Sequence, residues 1–236
     1  MTGRPSSASS PAVPRPGSAV TAVDLGCIDY VDALRLQHRL VAARTADLIG
    51  DVLLVCEHPP VYTAGRHADP GNVLDTSAIP LVRADRGGDV TYHGPGQVVV
   101  YPLLRLSGPR RVRSYVEALQ DACIAVAAAY GITARARRSR PGVWVGPDKL
   151  AAIGVRVQRG STSHGVAFNV EPDLRDFGGI VPCGITDGGV CSLASLGVSA
   201  TVADVGRALV DALAHALDRT VRWVSPADLD VTSRAA

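Results

Sequence analysis

Apolar residues recur at steps of three and four in three stretches of this chain, and in short unbroken runs elsewhere. Val31, Leu34, His38 and Val41 predict a first amphipathic helix that ends within residues 47–50. Val112, Tyr115, Val116, Leu119, Cys123, Val126 and Tyr130 predict a second, stopped by Gly131, and Val202, Val205, Leu209, Leu213 and Leu217 a third. Between them, the runs 52–56, 81–84, 97–104, 143–145, 149–157 and 165–170 read as strands, with Gly146-Pro147-Asp148 as a hairpin turn between two of them. The strands cluster with few helices between them. That pattern predicts an α+β fold with a mixed or largely antiparallel sheet, not a doubly wound parallel one.

Residues 1–21 are rich in Pro and Ser, have no apolar run, and read as a disordered tail rather than a secretory signal. Residues 22–220 read as one domain, with 221–236 as a C-terminal extension. No stretch approaches the roughly 18 consecutive apolar residues of a membrane span. Five widely spaced cysteines without a CxxC argue against a disulfide framework or a zinc ribbon and favour a reducing cytoplasm. The charge balance, 24 basic against 22 acidic residues, lacks the basic excess of a nucleic-acid binder. It hides a bias, however: 23 of the 24 basic residues are Arg, and the remaining one is Lys149.

Three constellations carry candidate chemistry. The first is Arg86-Gly87-Gly88-Asp89-Val90-Thr91-Tyr92-His93-Gly94-Pro95-Gly96-Gln97, a glycine-rich loop whose backbone can approach a ligand closely; it lacks the spacing of a Walker loop or a dinucleotide fingerprint. The second is Cys183, between Pro182 and Gly184 on a glycine-rich loop, unlike Cys123 on a helix stripe or Cys56 at the end of an apolar strand. Lys149 is the third. Arginine stays charged at any working pH, whereas a lysine can hand over a proton, so a chain that has Arg everywhere else weakens the reading of Lys149 as an ordinary solvated strand end. Thiol and amine together suit acyl transfer through a thioester. Two weaker signals are a basic run, Arg135, Arg137, Arg138 and Arg140, better read as a solvated loop, and Cys56, His58 and His67, whose spacing matches no metal-site pattern.

At three separated places these residues resemble the octanoyltransferases, also called lipoyl(octanoyl) transferases or the lipoate-protein ligase B family. Arg86 to Gln97 resembles the family's RGGxVTYHGPGQ loop, KLAAIGVRV from Lys149 its KxAxxG strand, and IVPCGI around Cys183 its thiol loop. Gly165 and Phe168-Asn169-Val170 fall where the family has HGxAxNV. The resemblance spans roughly residues 24–217. It implies a biotin/lipoate-ligase-like fold, an α/β sandwich around a mixed sheet flanked by helices. It implies transfer of an octanoyl group from octanoyl-acyl carrier protein to a lysine of the lipoyl domains of 2-oxoacid dehydrogenases or of the glycine-cleavage H protein. Cys183 would be the nucleophile, and Lys149 would lower the thiol's pKa and act as acid and base. Arg86, Gly87, Gly88, Asp89, Val90, Thr91, Tyr92 and His93, with Ala152, Ile153, Gly154, Gly165, Val166 and Ala167, would line the acyl site. No cofactor and no metal would be needed, because the thioester is already activated. The chain departs from the family's pattern at Arg159-Gly160-Ser161-Thr162-Ser163, where relatives carry bulkier residues. The competing expectations are an ATP-dependent lipoate or biotin ligase of the same fold, a cysteine hydrolase, and a catalytically inactive acyl-binding module.

Overall fold

The computed structural model describes residues 19–107, 111–137, 140–184 and 188–229. Eleven strands and three α-helices occur among them: β1 (Ala19–Cys27), α1 (Tyr30–Thr45), β2 (Val52–Glu57), β3 (Val61–Ala64), β4 (Leu81–Arg83), β5 (Val90–His93), β6 (Gln97–Leu103), α2 (Arg111–Ala129), β7 (Arg135–Arg137), β8 (Arg140–Val145), β9 (Asp148–Gln158), β10 (Ser161–Asn169), α3 (Val202–Ala216) and β11 (Thr220–Val224). Eight strands form one mixed sheet in the order β11-β1-β2-β6-β10-β9-β8-β7, and β4-β3-β5 form a second, small one. β1 pairs in parallel with both β2 and β11, and the strands from β2 through to β7 pair antiparallel.

Side-chain alternation assigns the faces of the large sheet. Leu53 and Val55 of β2 join Val98, Val100, Val166 and Phe168 under α2 and α3, while Val52, Leu54 and Cys56 join Val99, Tyr101 and Ala167 with Ala33 and Leu40 of α1. With both faces covered, β2 is buried along its first five residues, which is why it reads in sequence as an unbroken apolar run. The helix ends follow local rules. Asp29 caps α1 by accepting from the amides of Val31 and Asp32, Thr201 caps α3 through Asp204, and Gly131 ends the α2 segment at φ 77°.

Three expectations shift. The buried stripe of α1 is Tyr30, Ala33, Gln37, Leu40 and Ala43, one residue back from the stripe expected at Val31, Leu34, His38 and Val41. Local periodicity favoured the more apolar face, but Gln37 is buried because its side-chain oxygen accepts from the His164 amide. β1 begins at Ala19, inside the expected tail; residues 1–18 lie outside the described residues. β11 adds to the edge of the main sheet beside β1, so residues 221–224 are part of the sheet and not an appendage. No helix among the described residues is long and apolar enough to cross a membrane.

Candidate active site

The loop from Arg86 to Gln97 folds over the α1 face of the large sheet. Its shape is set by Arg86, 6% exposed, whose guanidinium donates to the carbonyls of Gly87 (3.1 Å), Asp89 (2.7 Å) and Thr63 (2.5 Å) and to the Thr63 hydroxyl (2.8 Å). A planar fork with five donors suits this convergence of fixed acceptors. Gly87 donates to the Val155 carbonyl at 2.9 Å, tying the loop to β9, and Gly88 turns at φ 83°. Beneath the loop runs a narrow cleft of about 460 Å³, counting all space between atoms out to its mouth.

Of the residues expected at an acyl site, Arg86, Gly88, Asp89, Thr91, His93, Ala152, Ile153, Gly154, Gly165, Val166 and Ala167 line this cleft. Gly87, Val90 and Tyr92 do not. In β5 alternate side chains point to opposite faces, so Thr91 and His93 face the cleft. Val90 and Tyr92 instead pack with Tyr62, Phe177 and Ile180. Sequence reasoning missed Tyr30, Val99, Tyr101 and His164, which complete the lining. Val99 and Tyr101 share one face of β6, a period-two signal that was there to be used, and His164 is the first residue of the stretch that resembles HGxAxNV; Tyr30 carried no signal. The floor is small: Gly154 and Gly165 have no side chain, and a Cβ on Gly154 would come within 3.0 Å of the Arg86 side chain.

Two histidines in the cleft are wired in opposite senses. The Cys191 carbonyl can only accept, so Asn169 donates to it through Nδ2 (2.9 Å) and presents Oδ1 to Gln97 Nε2 (2.9 Å). Gln97 Oε1 then faces His93 Nδ1 at 2.8 Å, so the proton sits on Nδ1 and Nε2 is the bare nitrogen. Burial, with His58 and Arg86 nearby, pushes the His93 pKa well below its ordinary value, and the ring is neutral. His164, 1% exposed, donates through Nε2 to Asp85 Oδ1 at 2.6 Å, which leaves Nδ1 as the bare nitrogen, buried and without a hydrogen-bond partner. Its pKa is pushed down to about 3 by burial and by Arg86, His38 and Arg156. Its backbone is left-handed at φ 56°, an uncommon conformation for a non-glycine residue and a form of strain that clusters at functional sites. The other oxygen of Asp85 holds Arg156 and His38. Tyr30 stacks on His93 with ring centroids 5.7 Å apart, and His58 bridges the Tyr101 hydroxyl and the Ile28 carbonyl, each at 2.7 Å.

Lys149 is the second residue of β9 and is 4% exposed. Its Nζ lies 4.8 Å from the centroid of the Trp144 ring. Its backbone binds the strand of chain that follows the thiol loop: Lys149 N donates to the Gly189 carbonyl and Cys191 N to the Lys149 carbonyl, both at 3.0 Å. Cys183 belongs to the one-turn 3₁₀ segment Pro182–Gly184, and its side chain, with residues 185–187, lies outside the described residues. That turn is held by the Val181 amide donating to the Asn72 carbonyl (2.8 Å) and lies against the roof loop: a Cβ on Gly184, at φ 65°, would come 3.3 Å from Asp89 Oδ2. Asp89 in turn takes the Asn72 side-chain amide at 2.5 Å. One carboxylate thus joins the roof of the cleft to the turn that carries the thiol.

The remaining cysteines are placed differently. Cys56 and Cys123 are buried and their thiols pushed far up by burial, and Cys191 is pushed up to about 12 for the same reason. Cys27 is exposed. Cys56 Sγ approaches His58 Nε2 at 3.6 Å, but His67 is exposed elsewhere, and no cluster of three metal-ligating side chains occurs among the described residues. Of the basic run, Arg135 and Arg137 lie on the edge strand β7; Arg138 lies outside the described residues.

Residues 29–214 match the pattern of the lipoyl protein ligase A/B catalytic domain. An octanoyltransferase of Mycobacterium leprae is 45% identical, with 91% of this chain and 97% of the relative covered. One of Methylococcus capsulatus is 47% identical, covering 79% and 90%. In solved structures, lipoate-protein ligase A bound with ATP superposes with a TM-score of 0.71 at 15% identity, covering 89% of each chain. A bipartite lipoate protein ligase of Thermoplasma acidophilum gives 0.70 at 17%, covering 89% and 88%. At these identities the two structures speak for the fold.

Proposed function

The chain belongs to the octanoyltransferases within the lipoyl protein ligase A/B family and is a transferase, and from that premise we propose that it takes an octanoyl group from octanoyl-acyl carrier protein, holds it as a thioester on Cys183, and delivers it to a lysine of a lipoyl domain. The acceptors would be the lipoyl domains of 2-oxoacid dehydrogenases and the glycine-cleavage H protein, and the compartment the cytoplasm. The observation that carries this reading is the burial of the chain's single lysine, with its backbone tied to the segment that follows the thiol turn.

The proposed cycle balances protons on one residue. Lys149 takes the proton of the Cys183 thiol, and the thiolate attacks the thioester carbonyl of the carrier. The carrier thiolate leaves and takes the proton back from Lys149, which is now neutral beside an acyl-cysteine. The acceptor amine then attacks the acyl carbon and passes a proton to Lys149. An amide forms, and Cys183 leaves as a thiolate paired with the lysine ammonium. The small, apolar floor suits a narrow chain, and burying the saturated carbons of an octanoyl group contributes up to about 5 kcal/mol at roughly 0.8 kcal/mol per CH₂. A donor that is already a thioester needs no adenylation, so activity without ATP separates this reading from a ligase.

Protein incubated with octanoyl-carrier protein should carry one octanoyl adduct, at Cys183, by mass spectrometry, and Cys183→Ser should lower transfer by roughly 10³-fold or more. An adduct on another cysteine, or undiminished turnover of the Ser variant, would sink the mechanism.

A further inference from the structure

The register between β8 and β9 is irregular at one place. Val143 pairs with Ala151, but the next pair along is Trp144 with Lys149, which leaves Leu150 as an extra residue. Leu150 and Ala151 are both fully buried in the cluster beneath α2 and α3, so two consecutive residues face the same core. Such a bulge re-aims the strand beyond it. Here it turns Lys149 and its cross-strand neighbour Trp144 away from that core, to the face on which Ala152 lines the cleft.

We propose that Trp144 is the positioning residue for Lys149: its indole face holds the lysine ammonium in place toward the thiol turn. This rests on the catalytic reading of Lys149 given above. Trp144 is 1% exposed, so its ring is fixed by its surroundings. The ring face attracts a cation electrostatically, and more strongly when both are out of water, as here. Gly142, at φ 137°, lies beside the lysine stem: an added Cβ would touch Lys149 Cε at 3.4 Å and clash with the Ala151 carbonyl at 2.8 Å. Arg137 lies 4.3 Å from the same ring and donates to the Gly146 carbonyl at 2.7 Å, which pins the turn between Trp144 and Lys149. The other charged side chain beside this turn, Asp148, accepts from the Gly189 amide.

The chain has two tryptophans, so fluorinated tryptophan supplied during growth of a Trp223→Phe variant enters at position 144 alone. Fluorine drains the ring's negative face with little change of size. Site-resolved iodoacetamide labelling of Cys183 against pH reads the thiolate population. The labelling midpoint should rise stepwise from mono- to tetrafluorotryptophan while the melting temperature holds, and acylation at pH 7 should slow roughly tenfold across the series. Trp144→Leu should behave like the most fluorinated protein, and Trp144→Phe should restore most of the rate. A flat midpoint across the series overturns the proposal. Lys149→Met is the control for the underlying reading: if it also leaves the midpoint unmoved, the lysine is not the thiol's partner, whereas a shift in Lys149→Met with none in the fluorinated series removes the role of Trp144 alone.

Discussion

Arg86 and Lys149 are the two Arg or Lys residues buried among the described part of the chain, 6% and 4% exposed, and they are buried in opposite ways. The Arg86 fork meets three carbonyls and a hydroxyl, all fixed by backbone, and its work is to hold a loop in shape. The Lys149 ammonium lies 4.8 Å from the centre of the Trp144 ring, and the lysine backbone pairs with Gly189 and Cys191. A guanidinium is the better clamp because it is planar and permanently charged. An ammonium is the better proton carrier because it is compact and can be neutral. Of the chain's 23 arginines and one lysine, that lysine is one of these two buried cations.

Exchanging the two cation types should break this contrast most sharply. Lys149→Arg keeps the charge and loses the shuttle, so octanoyl transfer should fall by roughly 10³-fold or more while urea unfolding stays close to wild type; near-normal turnover would return Lys149 to a structural role. Arg86→Lys should do the reverse. One point charge cannot reach four acceptors, and orphaning two or three of them should cost about 2–4 kcal/mol by urea denaturation, with faster amide exchange across the Gly87–Gly88 turn. Unchanged stability would mean that the loop holds its own shape.

A third test uses the field of Arg86. It is among the causes that keep His93 and His164 neutral, after burial. Both groups have folded pKa values below the unfolded value of about 6.5, so the unfolded chain binds more protons in the window beneath it. Stability should therefore be full above about pH 6.5 and fall as pH drops toward 3, by up to about 4–5 kcal/mol for His164 at 1.36 kcal/mol per unit. His164→Asn should flatten this acid limb in urea titrations between pH 4 and 7, and an unaltered limb would show that other groups set it. The smallest effect is expected at the tether between the roof and the thiol turn. Asp89→Asn keeps the shape and weakens the charge-assisted contact with Asn72, costing about 1 kcal/mol and raising the Michaelis constant for the acyl donor a few-fold. Loss of turnover with an unchanged constant would assign Asp89 to the chemistry instead.

Most of the elements could be read from local pattern, and the reasons are visible where that pattern failed. β2 and β6 stood out because both of their faces are buried, and α2 and α3 because a full apolar stripe meets one core. β3, β5 and β11 did not, and neither did the nine-residue β1, which is buried only at Val20, Ala22 and Val23 and follows the Pro- and Ser-rich segment. The stripe of α1 slipped by a residue because its buried face includes Gln37, polar in sequence, whose side-chain oxygen is met by an amide 127 positions away. At the site, the glycine loop, the thiol turn and the lysine were all found by residue type and spacing. Their partners were not: His164 was passed over although it heads the stretch that resembles HGxAxNV, and Val90 and Tyr92 were placed in the cleft although β5 turns them out of it.

The sequence by itself determined the three helices, most of the longer strands, the motifs that identify the family, and that the chain has a single lysine. Tertiary structure alone decided which face of each strand meets the cleft, which nitrogen of each histidine is bare, and that Trp144 stands beside Lys149. The division has a physical cause. Periodicity, turn chemistry and residue type act within a few positions along the chain. Register, bulges and hydrogen-bond chains such as His93–Gln97–Asn169–Cys191, in which Gln97 and Asn169 are 72 residues apart, depend on long-range pairings whose energies no local window contains.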